Sequence, residues 1–279
     1  MVPGRSSSWD RRVPPARPAD YARVNRVARG WVRDLARRGA RAVVLSGSWV
    51  RHEARRYSDI DLWVLGRAGP PSFRWQEPFL VSISRINPAA ELEKFLEPPH
   101  TGELLGAWRT ARILYDPHGE ARRLKEFARG FRWERVARRC DRWVARSVVS
   151  WGEEAVKLVN SLARGESDTA AVQRNLLAES LAFVLAVHRR TVWLTDNGLW
   201  ERLGRSEGRA WWEAQQRALG LHDESLAESS RGALDLYRLT VDRVRSVLTK
   251  DEGTTVEQVL SMIDHALAGP SRRTPETAA

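Results

Sequence analysis

In the first part of the chain, apolar positions come in short runs bounded by turn residues. Residues 41–46 (RAVVLS), 59–65 (DIDLWVL), 79–86 (FLVSISRI) and 112–115 (RILY) are rich in aliphatic and β-branched side chains and read as strands. A helix from Tyr21 onward precedes them, and helical stretches at 49–55 and 89–95 separate them. Asp116-Pro117-His118-Gly119 is turn chemistry. Beyond it the period changes to that of helices. Val136, Cys140, Trp143, Val144, Val148, Trp151, Ala155, Leu158, Val159 and Leu162 recur every three or four positions, the stripe of one long helix, and Gly165 ends it. Residues 168–190 are apolar nearly all round, as suits the centre of a bundle, and further helices are predicted over 209–219, 225–248 and 255–267.

The expected fold class is therefore α+β followed by all-α: a small mixed sheet with helices over residues 20–118, then a helical bundle over 119–268. Residues 1–19, with four prolines and three consecutive serines, read as a flexible arm, and 269–279 as a disordered tail.

Composition narrows the function classes. The longest uninterrupted apolar run, Leu181 to Val187, is far short of the roughly 20 residues that cross a bilayer, and Met1 to Asp20 lacks the apolar centre of a secretory signal. A cytoplasmic protein without a membrane partner is expected. One cysteine, Cys140, excludes an internal disulfide and any cysteine-built metal site. The formal charge of +11 would draw in polyanions. Four of the 46 basic residues are lysine, which leaves 42 arginines, the skew that a GC-rich coding sequence imposes on any surface. Nucleic acid is thus an alternative partner rather than the favoured one.

The chemistry-bearing run is Val44-Leu45-Ser46-Gly47-Ser48, ten residues, then Asp59-Ile60-Asp61-Leu62. It reads as a strand ending in glycine, a hydroxyl residue opening a helix, and a second strand with two acids. Glycine lets the backbone approach a bulky group, and a helix start offers free N–H groups to phosphate. Alternate strand residues share a face, so Asp59 and Asp61 project together while Ile60 and Leu62 face the core. Two carboxylates beside a phosphate corner suit Mg²⁺, which takes hard oxygen ligands and keeps positions for substrate phosphates.

This run resembles the pattern of the nucleotidyltransferase superfamily, which includes DNA polymerase beta and the aminoglycoside and minimal nucleotidyltransferases. The resemblance is continuous over Gly47 to Leu62 and looser over the rest of 41–115. It implies that Gly47 and Ser48 hold the β and γ phosphates of a nucleoside triphosphate and that Asp59 and Asp61 bind Mg²⁺. It also implies that Arg51 either touches phosphate or is a solvated helix charge. The implied reaction is transfer of a nucleoside monophosphate, AMP from ATP, to a hydroxyl of an unidentified small-molecule acceptor. The alternatives are a catalytically impaired nucleotide-binding relative, or a transferase acting on RNA or protein. A homodimer is left open.

Two departures from the pattern stand out. His52 occupies a place where glycine is common after the arginine, and the strand that would carry a third acid reads FLVSISR, with Ser82 or Ser84 in its place. The helical half offers a replacement base. Glu179, in the apolar run 176–181, is expected to be buried with a raised pKa, as a proton acceptor or as the ion-pair partner of Arg174. His188 and His222 each stand alone, and the thirteen tryptophans read mainly as packing residues, with Trp49 and Trp63 placed to stack on a base.

Overall fold

A computed structural model describes residues 14–268, so the tail expected at 269–279 and most of the expected arm lie outside the described residues. The chain forms two compact units, which meet in sequence at Arg132 and Trp133.

The first unit begins with α1 (Pro18–Arg37), whose proline at the first turn has its fixed φ already suited to a helix. Residues 14–17, expected to be flexible, are tied down: Ala16 donates its N–H to the Ala54 carbonyl at 2.9 Å, and Pro15 bridges Arg55. Then follow β1 (Ala42–Ser46), a one-turn α2 (Ser48–Arg51), β2 (Ile60–Leu65), β3 (Gly69–Gln76) and β4 (Phe79–Ile86). The helices α3 (Pro88–Lys94) and α4 (Pro98–Thr110), the strand β5 (Arg112–Tyr115) and α5 (Glu120–Arg129) complete the unit. The five strands make one mixed sheet in the order β3-β4-β2-β1-β5, with β2 and β4 parallel and the other pairs antiparallel. This is the α+β half of the expected fold class.

Alternation along the strands puts Val43, Leu45, Ile60, Leu62, Val64, Val81 and Ile83 on one face, where they pack under Val24, Ala28 and Leu35 of α1. On the other face Trp63 lies against Trp108 of α4, ring centroids 5.0 Å apart. The helix α5, expected to open the bundle, instead packs on α3, α4 and β1; Phe127 meets Phe95 and Phe131 at 5.2 and 5.9 Å.

The second unit is all helical: α6 (Ala137–Arg164), α7 (Ser167–His188), α8 (Leu199–Glu207), α9 (Arg209–Ala218), α10 (Leu226–Val244) and α11 (Lys250–Ala268). The predicted stripe of α6 buries Cys140, Val144, Val148, Ala155 and Leu158. Gly152 on the same helix leaves room for the Tyr237 hydroxyl of α10; a Cβ there would lie 2.8 Å from that oxygen. By length and composition α7 is apolar enough to span a membrane, and it packs against α6 and α10, burying Leu177, Leu181, Val184 and Leu185.

One buried carboxylate ties this unit together. Glu207, at the end of α8, has a side chain 1% exposed and accepts from Arg189 (Nε 2.7 Å, Nη2 3.0 Å) and from Arg243 (Nε 2.8 Å). Burial alone would raise its pKa, but the hydrogen bonds and charges of the two guanidiniums outweigh burial and hold it below the usual range.

Candidate active site

The end of β1 and the start of β2 form the corner that the sequence points to. Register places Ser46 of β1 opposite Asp61 of β2, and Asp61 beside Ser82 of β4, which in turn faces Phe73 of β3. Directly paired residues share a sheet face, so Ser46, Asp61, Ser82 and Phe73 form one row across the sheet. Ser82 thus stands next to Asp61, and Ser84 beside Trp63, so the neighbouring strand contributes hydroxyls to this face and no third acid. Asp59 lies just before β2. Among the described residues no group of three or more His, Cys, Asp or Glu is gathered as a metal site.

Gly47 shows why this turn takes glycine. Its φ is +76°, in the region closed to most side chains, and a Cβ there would sit 2.0 Å from Oδ2 of Asp61. The carboxylate therefore lies directly against the glycine backbone. Asp61 is partly buried there. Burial, and then the charge of Asp59, push its carboxyl up to about 6, against a smaller opposing pull from Arg51.

The helix after the corner is shorter than the expected 49–55. It is a single turn, with His52 at φ +61° closing it in the left-handed conformation. A one-turn helix has little macrodipole, so this corner offers an anion local N–H groups rather than a helix field. The left-handed residue gives a physical reason for glycine at this position; His52 takes it while stacking on Tyr21 at 5.2 Å.

Arg51 is not a solvated helix charge. Its side chain is 10% exposed and donates from Nε to Glu53 at 2.8 Å. Trp49 is 3% exposed, wedged edge-on against Tyr21 and Phe79 at 5.0 and 5.7 Å, so it is core and cannot stack on a base. Trp63 is partly buried against Trp108.

Glu179 does not have the surroundings expected of it. It is exposed, on the stripe of α7 that also leaves Val172 and Leu176 open at 55% and 38%. Arg174, its expected ion-pair partner, bonds Asn175 and Ser229 instead. The burial that motivated a proton-accepting role is absent. His188 is partly buried, with its pKa lowered by burial and by Arg189 and Arg190, and His222 is exposed at a turn.

Two features of the site are not legible in the sequence. Phe73 and Trp75 of β3 are 57% and 67% exposed on the acid-bearing side of the sheet, with Leu80 opposite Trp75 at 40%. The alternation F-R-W was the available signal, masked by the Pro70-Pro71 pair before it. Arg51's burial had no sequence signal.

No family model matches the chain, and no curated protein matches it. The solved structures to which the chain is similar include that of a nucleotidyltransferase-like protein from Exiguobacterium sibiricum. Identity is 16%, the match covers 85% of this chain and 79% of that one, and the TM-score is 0.49.

Proposed function

We propose that the chain is a nucleotidyltransferase that moves a nucleoside monophosphate, AMP from ATP, onto a hydroxyl of a small-molecule acceptor in the presence of Mg²⁺. The observation that carries this reading is the contact between Gly47 and Asp61. A partly buried carboxylate lies against a bare backbone turn, beside a second carboxylate, with a pKa raised to about 6 by burial and by the charge of Asp59. The donors fit a hard divalent ion, and Asp59 and Asp61 would hold it. Bound there, Mg²⁺ supplies charge neutralisation at the transferring phosphoryl group.

Gly47 and Ser48 present the turn to the β and γ phosphates, and Arg51, whose Nε donates to Glu53, adds a guanidinium to one of them. In the transfer the acceptor oxygen forms a bond to the α phosphorus, the bond from that phosphorus to the bridging oxygen breaks, and pyrophosphate leaves. The hydroxyl proton passes to solvent. The exposed Phe73, Trp75 and Leu80 offer an apolar, aromatic surface on the same side of the sheet for the planar part of a substrate. Glu179 has no part in this reading.

Ser82 beside Asp61 favours a second reading, nucleotide binding without efficient transfer, because the row carries no further acid. Calorimetry and pyrophosphate release separate the two. ATP is expected to bind in Mg²⁺ and at least tenfold more weakly in chelator, with Asp59→Ala/Asp61→Ala abolishing the difference. Equal ATP affinity with and without Mg²⁺ in the wild type defeats both readings. Mg²⁺-dependent binding without pyrophosphate release across hydroxyl acceptors selects the second.

A further inference from the structure

We propose that the cleft between α1 and the edge strand β5 binds the sugar-phosphate backbone of a nucleic-acid duplex. The cleft has a volume of about 900 Å³ and is walled by Arg26, Arg29 and Arg33 of α1 and Arg112 of β5, over a floor that includes Ile113 and Leu114. No carboxylate lines it. This inference is independent of the acid pair and of any transfer reaction.

What sets the arrangement apart is four arginines around one cavity with no acid among them. Several exposed arginines elsewhere face acids: Arg38 meets Asp34 at 2.9 Å, Arg205 meets Glu201 at 2.5 Å, and Arg209 meets Glu213 at 2.6 Å. Among the described residues none of the four cleft arginines is paired with a carboxylate, so their charge stays available to a ligand. Arg112 is held by the side-chain oxygen of Asn25, a neutral acceptor that fixes the guanidinium without cancelling it.

Spacing points to a repeating polyanion. Positions 26, 29 and 33 recur at three and four residues and so share one face of α1. Seven residues at 1.5 Å each span about 10 Å, long enough for the three side chains to meet more than one phosphate of a backbone that carries a charge every ~3.4 Å of axis per strand. Guanidinium forks match phosphate oxygens, and aliphatic floor residues suit sugar rings. No aromatic side chain lines the cleft. That argues against base stacking on a single strand, so the contacts would position a backbone without reading sequence.

The test is fluorescence anisotropy with labelled RNA and DNA duplexes of about 20 base pairs, titrated between about 50 and 200 mM salt. Four phosphate contacts give a slope of log affinity against log salt of about −3 to −4. The variant R26Q/R29Q/R33Q/R112Q is expected to lose about three of those units and at least tenfold in affinity at the lowest salt. A control with the same net charge, R67Q/R129Q/R138Q/R146Q, removes four other exposed arginines and is expected to keep the wild-type slope. If the quadruple cleft variant fails to fold by circular dichroism, Arg29→Gln and Arg33→Gln singly should each reduce the slope by about 1. Equal weakening by the cleft and control variants overturns the proposal in favour of undirected charge. Capture of polyglutamate in preference to either duplex overturns it in favour of an acidic polypeptide, and no duplex binding at the lowest salt overturns it outright.

Discussion

Glu207 in the helical unit and Asp61 in the sheet unit are both drawn at least partly out of water, and they are treated in opposite ways. Glu207 in the helical unit is met by two guanidiniums from α10 and the end of α7, and its pKa is held below the usual range. Asp61 in the sheet unit has a second carboxylate for a neighbour and only an opposing pull from Arg51, and its pKa is raised to about 6. The first charge is satisfied by its own chain and ties helices together. The second lacks a full countercharge from its own chain, so the sheet unit carries an electrostatic cost that a bound cation would relieve. The difference separates a structural acid from a candidate functional one without reference to any relative.

The sharpest way to break the comparison is to remove the satisfied acid. Glu207→Ala leaves Arg189 and Arg243 facing each other with no anion, and is expected to destabilise the helical unit by about 3–5 kcal/mol. Chemical denaturation measures this, and a loss below about 1 kcal/mol would show that Glu207 is no clamp. Because the folded pKa of Glu207 is depressed, the wild-type contribution is present above the unfolded value near 4.5 and fades as pH falls below it.

Asp61→Asn should act with the opposite sign. The folded carboxyl binds its proton more tightly than the unfolded one does, so ionising it costs stability. That cost is absent below about pH 4, grows between 4 and 6, and is complete above 6. In chelator the variant is therefore expected to be more stable than wild type by up to about 3 kcal/mol at pH 7.5, with the gain vanishing near pH 4. Melting curves at the two pH values check this. A variant no more stable at pH 7.5 than at pH 4, relative to wild type, would mean that Asp61 is compensated within the chain.

The smallest expected effect sharpens the comparison by adding a third carboxylate. Glu179, exposed on α7, belongs to neither class, and Glu179→Gln should leave stability within about 0.5 kcal/mol and Mg²⁺-dependent ATP binding unchanged. A clear loss of nucleotide binding would return this residue to the site.

The sequence reveals elements that bury continuous apolar surface. β1, β2, β4, α6 and α7 all do so, and their runs and stripes stand out. β3 does not: its residues are nearly all exposed, its prolines suit only an edge strand, and pairing with β4 forms it. α4 hides for a different reason, since Pro98, Gly102 and Gly106 read as breakers, although the first starts the helix and the two glycines are buried within it.

The spacing from Gly47 to Asp61 was legible because strand alternation and glycine chemistry are local rules. The burial of Arg51 and the contact between Gly47 and Asp61 were not, because they depend on chain segments that meet only after folding. Glu179 failed for a related reason. Composition reports how apolar a helix is, not which of its sides is covered, and Val172, Leu176 and Glu179 share an uncovered one.

The space at Gly47 has a consequence for how this protein can vary. A methyl group at position 47 and the carboxylate at position 61 would claim the same volume, so the two sites are not free to change one at a time. Any lineage that gives residue 47 a side chain must also shorten or reorient residue 61, and any that gives up the acid at 61 removes one of the reasons for glycine at 47. The positive φ remains as the other. The corner is therefore sterically a linked pair, and its loss would be expected to leave a mark at two positions fourteen residues apart.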